Sequence, residues 1–82
     1  MLVDVRAPSE WEDGHVDGSL HCYLPDLAGG PPPGWPTDRH VITACASGLR
    51  ATIAAGPLRR HGVRAVALGE GGVVELRRRL PG

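Results

Sequence analysis

Short apolar runs alternate along this chain with polar or amphipathic stretches, and each run is long enough for one strand or one helix face. Leu2-Val3-Asp4-Val5 is apolar, partly β-branched, and stops at Arg6-Ala7-Pro8, which reads as a buried parallel strand. Ser9 followed by Glu12 matches a Ser-x-x-Glu capping box and predicts a short helix from Ser9 to near Gly14, with Trp11 packed inward. Val41-Ile42-Thr43-Ala44 predicts a further strand. From Arg50 onward, Ala51, Ala54, Ala55 and Leu58 recur at helical spacing, and Arg59-Arg60-His61 before Gly62 supplies the cations and glycine that end a helix. Gly56-Pro57 interrupts that helix. An interior proline costs about 3 kcal/mol, so a bent or shortened helix is expected. Arg64 to Leu68 predicts another parallel strand, and Gly69-Glu70-Gly71-Gly72 turns into a last helix with Val73, Leu76 and Leu80 as its buried stripe. Arg77, Arg78 and Arg79 form its solvated end. Strands alternating with helices predict an α/β fold, a small and mainly parallel sheet flanked by helices.

The stretch from Ala28 to Asp38, rich in Gly and Pro, is a loop on composition alone. Strand-like residues flank it and the 82-residue chain is too short for two cores, so it reads as a surface excursion of one domain. Trp35 within it is expected to fold back onto the body or to border the mouth of a site. Nine basic residues, all arginine, balance nine acidic ones, which removes any electrostatic case for nucleic acid or an anionic membrane as a partner. No apolar stretch approaches the roughly 20 residues that span a bilayer, and Met1 to Arg6 lacks the pattern of a signal peptide. Cys22 and Cys45 are the two cysteines. The cytoplasm is the default compartment, and there one reactive and one structural thiol are preferred to a Cys22–Cys45 disulfide. His15, His21, His40 and His61 show none of the paired spacings of zinc sites, so no metal is predicted.

The candidate chemistry lies in Cys45-Ala46-Ser47-Gly48-Leu49-Arg50, where a strand ends, a short loop turns and a helix begins. At such a loop successive backbone N–H groups converge with the positive end of the helix, which suits an anion and stabilises a thiolate. A cysteine so placed, near a cation, falls from about 8.5 to roughly 3.5–7.5. Arg50 supplies the cation, Gly48 permits left-handed dihedrals and Ser47 leaves room for a ligand. The alternative for Cys45 is that of most isolated cysteines at the end of an apolar run, a small buried hydrophobe.

Cys45 to Arg50 resembles the six-residue active-site loop of rhodanese-like, or sulfurtransferase, domains, cysteine first and arginine last. Leu2 to Arg6 resembles that family's early strand, Glu10-Trp11-Glu12-Asp13-Gly14-His15-Val16-Asp17-Gly18-Ser19 its first signature, and Glu70-Gly71-Gly72 its second. The resemblance implies that Ser19 to Leu27 runs a short strand into a small helix, with Tyr23 where a proline is usual and Cys22 packed in the core. It also implies that His15 pins its turn by hydrogen bonding and that Asp4 and Arg6 tie the first strand to neighbouring loops. Val73 and Val74 replace an aromatic pair of the family's last helix. The usual domain carries one more strand and helix before the position of Leu2, so residues 1–82 are expected to be one N-terminally short domain.

On this resemblance Cys45 attacks the outer sulfur of thiosulfate or of a related persulfide donor, holds it as a cysteine persulfide and passes it to cyanide or a thiol. The backbone of Ala46, Ser47, Gly48, Leu49 and Arg50, with the Arg50 guanidinium, binds the anionic substrate, and no external cofactor is needed. Two other classes compete. Tyrosine and dual-specificity phosphatases also combine cysteine, phosphate loop and arginine, but their loops carry one residue more than the four here, Ala46 to Leu49. The other is an interaction or regulatory module of a larger protein, a role of rhodanese-like domains that lack the cysteine. Leu20 to Leu27 and Arg50 to Ala55 further resemble rhodanese domains fused to metallo-β-lactamase-fold hydrolases. Without its first strand the sheet has an uncovered edge, which predicts a homodimer or low stability for the isolated chain.

Overall fold

The computed structural model describes residues 1–27, 29–35, 37–69 and 72–79. Strand β1 spans Leu2–Asp4, helix α1 Pro8–Asp13 and strand β2 Leu20–His21, followed by a turn of 3-10 helix at Leu24–Leu27. Strand β3 spans His40–Ala44, helix α2 Leu49–Arg60, strand β4 Arg64–Ala67 and helix α3 Gly72–Arg79. Among the described residues all strand pairings are parallel, and the sheet has the order β2-β1-β3-β4. Val3 lies beside Leu20 and Thr43, and Thr43 beside Ala67. This is the α/β fold with helices flanking a small parallel sheet that the alternation of patterns predicts.

The period of two along each strand divides the core. Val3, Val5, Val41 and Ala65 bury one face against Ala51, Ala54, Ala55 and Leu58 of α2 and against Leu27. The apolar stripe read from the sequence of α2 is therefore fully buried. Thr43 bonds the two layers, its Oγ1 donating to the Ala51 carbonyl at 2.8 Å. On the other face Ala44 is buried with Val16 and Val73, and Leu2, Leu68 and Leu76 pack at the margin. Leu80, expected in the same stripe, lies outside the described residues. Arg77, Arg78 and Arg79 are exposed as expected. Ile42 and Val66, adjacent across β3 and β4, remain 38% and 47% exposed.

Two local expectations are corrected. Helix α1 begins at Pro8, one residue before Ser9, because a proline at the first helical position is already fixed near the helical φ and has no N–H to leave unpaired. The cap is Ala7, and the carboxylate that reaches back to its N–H, at 3.3 Å, is Glu10 and not Glu12. Trp11 does not enter the core, since α1 has no buried residue; its ring stacks on His15, centroids 3.5 Å apart, and on His21. Helix α2 runs 12 residues and carries Pro57 inside it. The carbonyl that Pro57 deprives of a donor belongs to Ile53, which is 51% exposed and lies on the side of the helix open to water.

The strand order places the site. The chain leaves β1 toward β2 on one side and leaves β3 toward β4 on the other, so a crevice opens between the C-terminal ends of β1 and β3. In open parallel sheets such a switch point is where ligands bind.

Candidate active site

Cys45 follows β3 directly at this crevice, and α1 follows β1 on the opposite bank. The loop turns at Gly48, whose φ of 99° lies in the left-handed region that a β-carbon disfavours. The Gly48 N–H donates to Cys45 Sγ at 3.0 Å, and the Ala51 N–H approaches the same sulfur at 3.4 Å. Thr52 steadies the turn, its Oγ1 donating to the Gly48 carbonyl at 2.9 Å. The rear of the loop is held by α3, where the Val73 N–H donates to the Cys45 carbonyl at 2.9 Å. Gly72 makes this approach sterically feasible: its φ is 48°, and a β-carbon there would overlap the Cys45 and Ala46 carbonyl oxygens.

Cys45 has no exposed surface. Burial alone would push its thiol up, but the backbone N–H groups of Ala51, Gly48, Ser47 and Arg50 together outweigh it and hold the thiol below its ordinary value. The sulfur is thus both buried in the core and cradled by donors, so the two readings of this cysteine are not exclusive. Ser47 and Leu49 are exposed on the outer side of the loop, and Ala46 and Gly48 are half-buried.

Arg50 does not stand free over the loop. Its Nη1 and Nη2 donate to Glu10 Oε1 and Oε2 at 2.5 and 2.9 Å, a two-pronged ion pair across the crevice between residues 40 positions apart. Each partner is about one third exposed. The Arg50 bonds hold the Glu10 carboxyl down at about 2, and Glu10 in turn raises the guanidinium further above its ordinary value. Glu10 is the functional candidate that sequence reasoning missed. A local reading assigns the capping carboxylate to Glu12, and only the sheet order brings Glu10 opposite Arg50.

The residues around this pair are structural. Arg6 makes a buried ion pair with Asp4, Nη2 to Oδ2 at 2.8 Å, and the same Nη2 donates to the Gly14 carbonyl at 2.8 Å, tying β1 to the end of α1. His15 Nδ1 donates to the Trp11 carbonyl at 2.9 Å and pins the turn after α1, while His21 Nε2 donates to the Arg6 carbonyl at 2.8 Å. Cys22 and Trp35 pack at the margin of the core. Burial, followed by the charge of Asp26, pushes the Cys22 thiol up.

The family described as the rhodanese-like domain matches residues 1–79 of this chain. A rhodanese homolog from the extremely thermophilic bacterium Thermus thermophilus is 29% identical, with a TM-score of 0.71 over 90% of this chain and 79% of its own. A protein of unknown function from Rhodopseudomonas palustris, described as a possible tyrosine phosphatase, is 34% identical with a TM-score of 0.76, covering 95% of this chain and 65% of its own. The solution structure of a rhodanese-like domain from Anabaena shares the fold at 24% identity, with a TM-score of 0.79 over 95% of this chain and 59% of its own. No curated protein sequence matches the chain.

Proposed function

The chain belongs to the rhodanese-like domain family, and we propose that it acts there as a sulfurtransferase with Cys45 as the nucleophile. One observation carries the reading: the Cys45 sulfur accepts two backbone N–H groups at the start of α2, and its thiol is lowered despite complete burial. The Cys45 thiolate attacks the outer sulfur of thiosulfate, the sulfur–sulfur bond breaks, and sulfite leaves with the electron pair, so that a cysteine persulfide remains. With a persulfide donor the leaving group is the donor's thiolate. Cyanide or an acceptor thiolate then takes the terminal sulfur and returns the Cys45 thiolate, so the cycle needs no outside oxidant or cofactor. The Ala46 to Arg50 backbone and the Arg50 guanidinium stabilise the negative charge that moves onto the leaving group.

A phosphatase is the second reading, raised by the description of the Rhodopseudomonas protein. Four residues between Cys45 and Arg50 close a bowl whose donors already converge on the sulfur, which fits one transferred sulfur atom better than a phosphoryl group. Incubation with thiosulfate followed by intact-mass analysis is expected to show one added sulfur that cyanide removes and that maps to Cys45. Sulfur on Cys22, no uptake from thiosulfate or glutathione persulfide, or aryl phosphate turnover lost in Cys45→Ser would overturn the reading.

A further inference from the structure

An arginine at the mouth of an anion site ordinarily makes that mouth positive. Here the charge is already matched, because Glu10 takes both terminal nitrogens of Arg50. The other cation facing Glu10, Arg6, is matched by Asp4. With Cys45 as a thiolate, the group formed by Cys45, Arg50 and Glu10 carries one net negative charge. Glu70 lies outside the described residues. An incoming dianion therefore meets the Glu10 carboxylate as well as the guanidinium, and to use the fork of Arg50 it must displace a carboxylate already bonded to it. A sulfur donor of low charge meets neither cost.

We propose that Glu10 sets the charge selectivity of the Cys45 pocket, so that low-charge sulfane donors of the alkyl persulfide class are used in preference to dianionic thiosulfate. The donor class rests on the sulfurtransferase reading; the charge selectivity does not. Glu10 acts here as a specificity-determining residue, and it does not touch the sulfur being transferred. Its position supports this role. Glu10 is fixed by α1, where its Oε1 accepts the Ala7 N–H, so its carboxylate is held at the crevice by backbone and not by Arg50 alone.

Glu10→Gln removes the charge and retains an oxygen for the Ala7 N–H, so α1 keeps its first turn. The test compares alkylation of Cys45 by iodoacetate, an anion, with alkylation by neutral iodoacetamide, each mapped to Cys45 by peptide mass spectrometry. A change in Cys45 acidity accelerates both reagents alike and cancels in their ratio. The ratio of iodoacetate to iodoacetamide rates is expected to rise about tenfold in Glu10→Gln at low salt, as for removal of one charge bonded to the Arg50 guanidinium at the crevice. About 1 M salt is expected to shrink that gain. The preference for thiosulfate over an alkyl persulfide in sulfur uptake is expected to move the same way. An unchanged ratio overturns the proposal, as does an equal fall in both rates, which would make Glu10 only a support for Arg50. Wild-type protein that takes sulfur from neither donor overturns the sulfurtransferase reading, while the alkylation ratio still decides the charge selectivity.

Discussion

Cys45 and Cys22 sit at corresponding places in the fold, each at or just beyond the C-terminal end of a parallel strand, yet the structure drives their thiols in opposite directions. Burial pushes both up. Around Cys22 the nearby Asp26 carboxylate adds to it. Around Cys45, which is the more buried of the two, the amides at the start of a 12-residue helix reverse it. The difference teaches that withdrawal from water alone does not decide thiol chemistry; the decision lies in which backbone donors the fold aims at the sulfur. Gly48 marks the turn from the loop into α2 at a left-handed φ, and its N–H and that of Ala51, one turn on, both reach the sulfur.

The comparison breaks most sharply on substitution of the two sulfurs. Cys45→Ser is expected to abolish sulfur uptake from thiosulfate, a loss on the order of a thousandfold or more, since a hydroxyl is a far weaker nucleophile and stores no sulfane sulfur. Cys22→Ser is expected to keep turnover within about twofold of wild type. Intact-mass analysis of both variants reads this directly. Next in size is Arg50. Arg50→Ala removes the guanidinium and leaves Glu10 unpaired at the crevice, which is expected to lower kcat/KM for thiosulfate on the order of a hundredfold. Arg50→Lys keeps the charge and loses the fork, for a smaller loss of about tenfold. Steady-state kinetics with thiosulfate separates the two.

Much of the Cys45 side of this comparison is legible in the sequence, because it is local. The run Val41 to Ala44, the glycine at 48 and the stripe of Ala51, Ala54, Ala55 and Leu58 lie within one strand-loop-helix unit, where periodicity and turn chemistry act over a few residues. The Asp4–Arg6 tie and the pinning of His15 are equally short-range. What the sequence does not display is contact made by topology. Glu10 and Arg50 meet only because β1 and β3 are neighbours in the sheet order β2-β1-β3-β4. A competing local signal also misdirects: Ser9 and Glu12 have the spacing of a capping box, but Pro8 starts the helix one residue earlier and shifts the capping role to Glu10. Trp11 misleads in another way, since a large aromatic in a short helix suggests the core and here stacks on two histidines outside it.

Smaller effects sharpen the account. At Gly48 a β-carbon would have ordinary room, 3.5 Å from the Leu68 and Gly69 carbonyl oxygens, so Gly48→Ala carries mainly the left-handed backbone penalty, about 1–2 kcal/mol by chemical denaturation. If the loop relaxes to escape that strain, the N–H leaves the sulfur, and the Cys45 thiol is expected to rise toward that of Cys22. Smallest is the acid response of Glu10. Its carboxyl lies near 2 in the folded chain against an ordinary value of 4.5, a lowered group, so its contribution is present above about 4.5 and is lost as pH falls toward 2. With a third of each partner exposed, screening reduces that contribution to about 1 kcal/mol. Denaturation midpoints of wild type and Glu10→Gln are expected to differ near neutral pH and to converge in acid.

The most direct test of the central claim is the pH dependence of iodoacetamide alkylation, followed separately at the two cysteines by peptide mass spectrometry. The account predicts that Cys45 reacts as a thiolate with a midpoint below that of an ordinary thiol, and Cys22 with a midpoint above it. A Cys45 midpoint equal to or above that of Cys22 would contradict it.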